Sequence, residues 1–168
     1  MRPVSAPQPI LPEHDTADFS CGEPALDDWL RHRALKNESH FSRTYVVLDD
    51  IRVAGYYSLT SGGVSRAAAP GRLRRNAPET IPAAIIARLA VDRHHSGAGL
   101  GSDLLMDALR RCTQASRAIG IAAVMIHAKS GAARQFYLKH ANFIEYLADS
   151  RILFLEIASV LAALSGGE

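Results

Sequence analysis

Residues Leu89-Ala90-Val91-Asp92-Arg93-His94-His95-Ser96-Gly97-Ala98-Gly99-Leu100-Gly101-Ser102 read as an apolar strand, a glycine-rich turn and the start of a helix. That order suits a phosphate. The first N–H groups of a helix have no partner within it, and the helix dipole places partial positive charge there. Gly97, Gly99 and Gly101 take side chains away from places where a ligand would approach the backbone. Two other phosphate motifs fit poorly. A Walker P-loop ends in Gly-Lys-Ser/Thr, whereas Gly101 is followed by Ser102 and Asp103. A dinucleotide fingerprint lies early in its βαβ unit with an acid about 20 residues on. Here the turn lies past mid-chain, and Ile119-Gly120-Ile121-Ala122 offers no acid. On spacing alone, a tight strand-to-helix turn without a ligand remains the alternative.

The flanking pattern predicts the elements that must hold this turn. Ala83–Asp92 reads as a central strand. Gly99–Ala118 reads as a helix with its apolar residues at 100, 104, 105, 108, 109 and 112 on one side. Ile121–His127 is a continuous apolar run, as in a strand covered on both faces. Ser130 predicts a helix cap, with the helix running to about His140. Asn142–Tyr146 and Arg151–Glu156 read as a closing pair of strands, and 157–168 as a weak helix or loose tail. Upstream, residues 1–17 carry four of the eight prolines and are expected to be extended, with a short strand near Ile10-Leu11. Pro24 predicts the start of a helix running to about Asn37. Its apolar side holds Leu26, Trp29, Leu30 and Ala34, with Trp29 in the core. Arg43–Leu48 and Ile51–Thr60 form an expected hairpin around Asp49-Asp50. Tyr56 and Tyr57 then point to opposite faces. Ser61-Gly62-Gly63 reads as a turn into a further strand, Val64–Ala68, and Pro70–Pro82 as a loop.

The 168 residues suit a single domain, 1–168, with a buried core. Hydrophobic residues make up 48% and charged residues 21%, the profile of a globular chain. No apolar run is long enough to span a bilayer. The opening Met1-Arg2-Pro3 lacks the apolar block of a signal peptide, so a cytoplasmic location is expected. Cys21 and Cys112 make no disulfide framework, and no HxxH or CxxC spacing suggests a metal.

Net charge is only +2, but Arg66, Arg72, Arg74 and Arg75 crowd the stretch from Val64 to Ala77, which has no acid. Guanidinium forks bind phosphate bidentately. Such a run is either a solvated loop or a nucleic-acid contact. If the latter, it supplies affinity and salt dependence rather than base reading, because no aromatic residue interleaves it.

Ser96-Gly97-Ala98-Gly99-Leu100-Gly101 resembles the pyrophosphate-binding motif of the GNAT superfamily of N-acetyltransferases, with Ser96 where Arg or Gln is usual. Ala132-Ala133-Arg134-Gln135-Phe136-Tyr137-Leu138-Lys139 resembles the family's second motif. The usual Gly-Phe after it is replaced by Ala141-Asn142-Phe143, one residue longer. The resemblance implies a mixed, mostly antiparallel sheet flanked by helices. It implies acetyl-CoA along Leu89, Ala90 and Val91, across Ser96 to Ser102, and near Ala133, Phe136 and Tyr137. It also implies Tyr137 facing the sulfur of CoA.

A narrower resemblance rests on Phe19-Ser20-Cys21-Gly22-Glu23-Pro24-Ala25-Leu26-Asp27-Asp28-Trp29-Leu30, Ser42–Val47, Gly55–Leu59, Arg88–Asp92 and Asp149–Leu155. These segments are similar to GNAT toxins of bacterial type II toxin–antitoxin pairs. That branch acetylates the α-amine of aminoacyl-tRNA, blocks translation and is held by a ribbon-helix-helix antitoxin. The tRNA contact would then fall on Arg66, Arg72, Arg74 and Arg75. A homodimer is compatible with the resemblance.

Acetyl transfer needs a positioned thioester, a neutral amine, a donor for the oxyanion and an acid for the leaving thiolate. The backbone N–H of Val91 is the candidate oxyanion donor, since a fixed backbone donor needs no reorganisation. Tyr137 is the candidate acid; a tyrosine titrates near about 10 and so stays protonated at neutral pH. No strong general base stands out. His94, His95 and His127 are candidates, but nothing in the sequence orients their rings. An α-amine titrates near about 7.7–8.0 and a lysine near about 10.4, so the α-amine is the substrate that can manage without a base. Two alternatives remain: an N-acetyltransferase for a small amine or drug, and a CoA-binding regulatory module without turnover.

Overall fold

The computed structural model describes residues 3–146 and 149–165. Seven strands form one sheet in the order β1-β2-β3-β4-β5-β7-β6. They are β1 (Gln8–Pro9), β2 (Arg43–Asp49), β3 (Arg52–Ser65), β4 (Thr80–Val91), β5 (Ala123–His127), β6 (Ile144–Glu145) and β7 (Ile152–Glu156). The helices are α1 (Pro24–His32), α2 (Ala34–Asn37), α3 (Gly71–Arg74), α4 (Leu100–Ser116), α5 (Gly131–His140) and α6 (Ile157–Ser165). β4 and β5 pair in parallel; β1–β2, β2–β3, β5–β7 and β6–β7 pair antiparallel. The fold class expected from the sequence is the one observed.

The chain divides into two compact units, residues 1–60 with 87–108 and residues 61–86 with 109–168. In the first, α1 sets Leu26, Trp29 and Leu30 into a core with Phe19, Val46, Val53 and Tyr56. Trp29 stacks on Tyr56 at 6.0 Å, and the Arg88 guanidinium lies 4.1 Å above the Trp29 ring. Tyr56 donates to the Leu26 carbonyl at 2.7 Å, while Tyr57 donates to Asp107 on α4, so the two tyrosines do serve opposite faces. An added Cβ at Gly55 would sit 3.0 Å from Leu104 Cδ1, which is why α4 can lie close on β3. In the second unit, Val64, Leu73, Ile81, Ala83, Ala123 and Phe154 form a core. All six stripe residues of α4 are buried.

Several boundaries differ from expectation, each for a local reason. The first strand is Gln8–Pro9 rather than Ile10-Leu11; Ile10 sends its N–H to the Thr44 carbonyl just past the ladder. The helix from Pro24 stops at His32, because Arg33 takes a non-helical conformation and a four-residue α2 follows. Ser61-Gly62-Gly63 is not a turn, and β3 runs through to Ser65. A Cβ at Gly62 or Gly63 would lie 2.5 Å from Ile85 or Thr80 side-chain carbons. These glycines allow close packing against β4 rather than reversing the chain. Pro70–Pro82 is not all loop: Gly71–Arg74 is a short helix, and β4 already includes Pro82, whose carbonyl accepts from Ala122 at 2.9 Å. Ile157–Ser165 forms the helix α6; the last three residues of the expected tail lie outside the described residues.

Candidate functional site

Beyond Val91 the chain makes a single 3₁₀ turn over Arg93–His95 before the glycines. Asp92 organises it. Its buried carboxylate accepts from the Ser20 and His94 backbone N–H groups and from the His94 ring, each at 2.9 Å. Burial alone would push this carboxyl up, but the three donors outweigh burial and hold it below the usual range. Arg93 answers on the other side. Its N–H donates to the Ser20 carbonyl at 2.8 Å and its guanidinium to the Ser20 hydroxyl. Ser20 is itself pinned between Phe19, whose carbonyl accepts from Arg31 at 2.8 Å, and Cys21, whose N–H donates to buried Asp27 at 2.9 Å. The opening segment Phe19–Leu30 is thus a brace for the glycine turn. Gly22, at φ +99°, makes the bend between the two.

His95 ties the turn to β2, with Nε2 3.3 Å from Asp49 Oδ2. Carboxylates therefore orient both His94 and His95, which the sequence left unoriented. His127, at the end of β5, is exposed.

Gly97 and Gly99 take φ of +81° and +82°, a conformation that strains any residue with a Cβ. Nothing of the protein lies within 4 Å of where that Cβ would point, so the space over the turn is open. Gly101 sits inside the first turn of α4. Between His95 and Asp103 no backbone N–H has an acceptor among the described residues; Asp103 resumes with the Gly99 carbonyl at 3.1 Å. A run of unpaired N–H groups facing open space can hold a phosphate. The strand before it is also placed to bind. Asp92 N–H points to the Ala54 carbonyl of β3 at 2.8 Å. Because N–H directions alternate along a strand, those of Leu89 and Val91 point away from β3. Leu89 and Val91 are half-buried rather than sealed.

Tyr137 lies on α5 in the second unit. Ser130 caps that helix, accepting from the Ala133 N–H at 3.1 Å. The Tyr137 ring meets Phe136 and Phe143 edge-on, at 5.4 and 6.2 Å. The extra residue after the helix does not cost this packing: Ala141 is extended and Phe143 still reaches the ring. Burial pushes the Tyr137 hydroxyl up to about 12.

The four arginines separate into two kinds. Arg66 spends a guanidinium N–H on the Ala77 carbonyl at 3.0 Å. Arg72 Nε lies 3.1 Å from Glu156 Oε1, an ion pair by distance though not aligned as a hydrogen bond. All four are exposed, and the guanidinium groups of Arg74 and Arg75 have no hydrogen-bond or ion-pair partner among the described residues. Arg66 and Arg74 also line a cavity of about 630 Å³ with Ser65, Glu79 and Thr80. The sequence reading missed Asp92, Ser20 and Asp49 as supports. The one signal available was an acid at the C-terminal end of the central strand, directly before the turn. No group of three His, Cys, Asp or Glu placed to hold a metal occurs among the described residues, and no described helix is long and apolar enough to cross a membrane.

The sequence profile of the acetyltransferase (GNAT) family matches residues 9–143. A tRNA-acetylating toxin of Mycobacterium tuberculosis is 50% identical over 144 residues, covering 85% of this chain and 86% of that one. The structure of the toxin AtaT complexed with acetyl-methionyl-tRNAfMet superposes with a TM-score of 0.87 at 26% identity, covering 96% of this chain and 99% of that chain. A tyrosine-to-phenylalanine mutant of AtaT, bound to the C-terminus of the antitoxin AtaR and acetyl-CoA, gives 0.84 at 26% identity, covering 97% and 99%.

Proposed function

The chain belongs to the GNAT acetyltransferase family, and on that premise we propose that it moves an acetyl group from acetyl-CoA to the α-amine of aminoacyl-tRNA. It acts as a translation-blocking toxin in the cytoplasm. A ribbon-helix-helix antitoxin restrains it, and a homodimer is compatible with this reading. The observation that carries this reading is the half-identity to a tRNA-acetylating toxin along most of both chains. The glycine turn supports it, since its unpaired N–H groups and open space fit a pyrophosphate.

Bound acetyl-CoA supplies the activated acetyl group as a thioester. The N–H groups from Ser96 to Ser102, Ala98 among them, hold the pyrophosphate with the dipole of α4 behind them. Leu89, Ala90 and Val91 offer backbone to the pantetheine arm, and the Val91 N–H donates to the carbonyl oxygen as charge gathers on it. By the family resemblance Ala133 and Phe136 contact the cofactor, and Tyr137 gives its proton to the departing sulfur. No side chain is required to make an α-amine neutral, since it is substantially so at cellular pH; the proton that the nitrogen sheds as the amide forms passes to water, from which the Tyr137 phenolate is reprotonated. Arg74 and Arg75, held by no partner of their own, take tRNA phosphates; Arg66 and Arg72 adjoin them.

The test uses purified protein, acetyl-CoA and a mixture of charged tRNAs. Acetylated aminoacyl-tRNA is expected. Acetylation of polyamines with charged tRNA ignored would replace this reading with the small-amine enzyme, and binding without any turnover would leave a regulatory module. Replacing Arg74 and Arg75 together with alanine should lower the slope of log K against log salt for tRNA by about 1.5, two phosphate contacts' worth. Acetylation of a free small amine should not change. An unaltered slope would return these arginines to a solvated loop.

Gly99→Val tests the turn. With no protein atom near, its fold cost is backbone strain of about 1–2 kcal/mol. Its isopropyl group enters the space assigned to pyrophosphate. Calorimetry should show weaker acetyl-CoA binding; equal affinity would remove the glycine turn from the site.

A further inference from the structure

Resting on the assignment of Tyr137 as the acid, we infer that Arg134 is a positioning residue, whose clamp on the β6–β7 hairpin holds α5 where the Tyr137 hydroxyl can act. Arg134 lies one helical turn before Tyr137, on the same side of α5. Its Nε donates to the Ser150 carbonyl at 2.9 Å, and its terminal nitrogen Nη2 sits 2.7 Å from Glu145 Oε1. One planar fork therefore grips both arms of the hairpin: Glu145 in β6, and Ser150 just before β7. The clamp matters because α5 is short. α5 has only ten residues, and isolated helices of that length are marginal in water. The hairpin partner is firm, because β7 is buried at Leu153, Phe154 and Leu155 and pairs along β5. An arginine suits the task better than a lysine, since a fork with fixed donor directions sets the rotation of a helix and a point charge does not.

The ring contacts of Tyr137 leave this job undone. Phe136 is its neighbour on the helix and moves with it, while Phe143, directly before β6, meets the ring edge-on in an apolar contact that has no fixed donor direction. Among the described hydrogen bonds and ion pairs, those of Arg134 are what join the α5 surface to the hairpin.

The experiment is a double-mutant cycle in full-length protein, read as kcat and KM for acetyl-CoA with thermal unfolding alongside. Arg134→Ala should lower kcat by about 10–10²-fold, the scale of a small misplacement of a reacting group, and leave KM within about twofold. Arg134→Lys, which keeps the charge but loses the fork, should recover part of kcat. In the Tyr137→Phe background Arg134→Ala should change kcat by less than about twofold, because the group it positions is gone. Glu145→Gln, at a half-exposed surface carboxylate, should give a smaller loss with the same coupling, and it carries the cycle if Arg134→Ala does not fold. Equal losses in both backgrounds would overturn the inference while sparing Tyr137 as the acid. A neutral Tyr137→Phe would overturn the acid assignment and this inference with it.

Discussion

Tyr137→Phe is expected to lower turnover by roughly 10²–10⁴, the range for loss of a general acid, while acetyl-CoA binding changes little. The substitution removes one oxygen and keeps the ring in its edge-on contacts with Phe136 and Phe143. Burial pushes the hydroxyl up to about 12, so the phenol remains a proton donor throughout the neutral and mildly alkaline range. The pH profile of the wild type should therefore show no falling limb from Tyr137 at mildly alkaline pH. Growth inhibition in cells should disappear in step with turnover. Near-normal turnover in the mutant would make Tyr137 a packing residue. Steady-state kinetics with charged tRNA, and calorimetry with acetyl-CoA, separate the two outcomes.

Asp92→Ala is expected to be the most damaging change to the architecture of the turn. It strips the Ser20 and His94 N–H groups and the His94 ring of their acceptor at a buried position. Losing two half-buried backbone N–H bonds to a charged acceptor, with the exposed His94 ring adding little, costs roughly 3 kcal/mol at neutral pH. For a chain of this length that lowers Tm by about 6–12 °C. Acetyl-CoA affinity should fall with it, because the 3₁₀ turn that presents the glycines loses its anchor. The pH dependence has a definite sign. The carboxyl is held below its ordinary value in the folded protein, so its contribution is complete above the unfolded value of about 3.9. It is lost as pH falls through the lower, folded value. Wild type and mutant should therefore differ most near neutrality and converge in stability below about pH 4. A gap that persists unchanged into acid would mean the carboxylate is not the source of the stabilisation.

Much of the fold was legible because its signals are local. The stripe of α4, the Ser130 cap, the continuous apolar run of β5 and the Asp49-Asp50 hairpin each rest on spacing or on one residue's backbone chemistry. The misreadings share another cause. Gly62 and Gly63 resemble turn residues, but the tertiary demand on them is room for Ile85 and Thr80. Pro82 resembles a loop residue, but the strand needs only its carbonyl. Pattern reading assigns glycine and proline to turns; the structure uses the two glycines for packing along neighbouring strands and the proline as a carbonyl acceptor within one.

By itself the sequence determined the order of the long strands and helices, the glycine turn before a helix, the tyrosine motif on the next helix and the arginine-rich stretch, since each is written in adjacent residues. Only the tertiary structure decided what holds the turn. Ser20 and Asp92 lie 72 positions apart and Asp49 and His95 lie 46 apart, and no local pattern links such partners. It also divided the arginines, giving the guanidinium groups of Arg66 and Arg72 a partner and those of Arg74 and Arg75 none among the described residues, although all four are exposed. A charge run in sequence does not reveal which of its members will find a carbonyl or a carboxylate when the chain closes on itself.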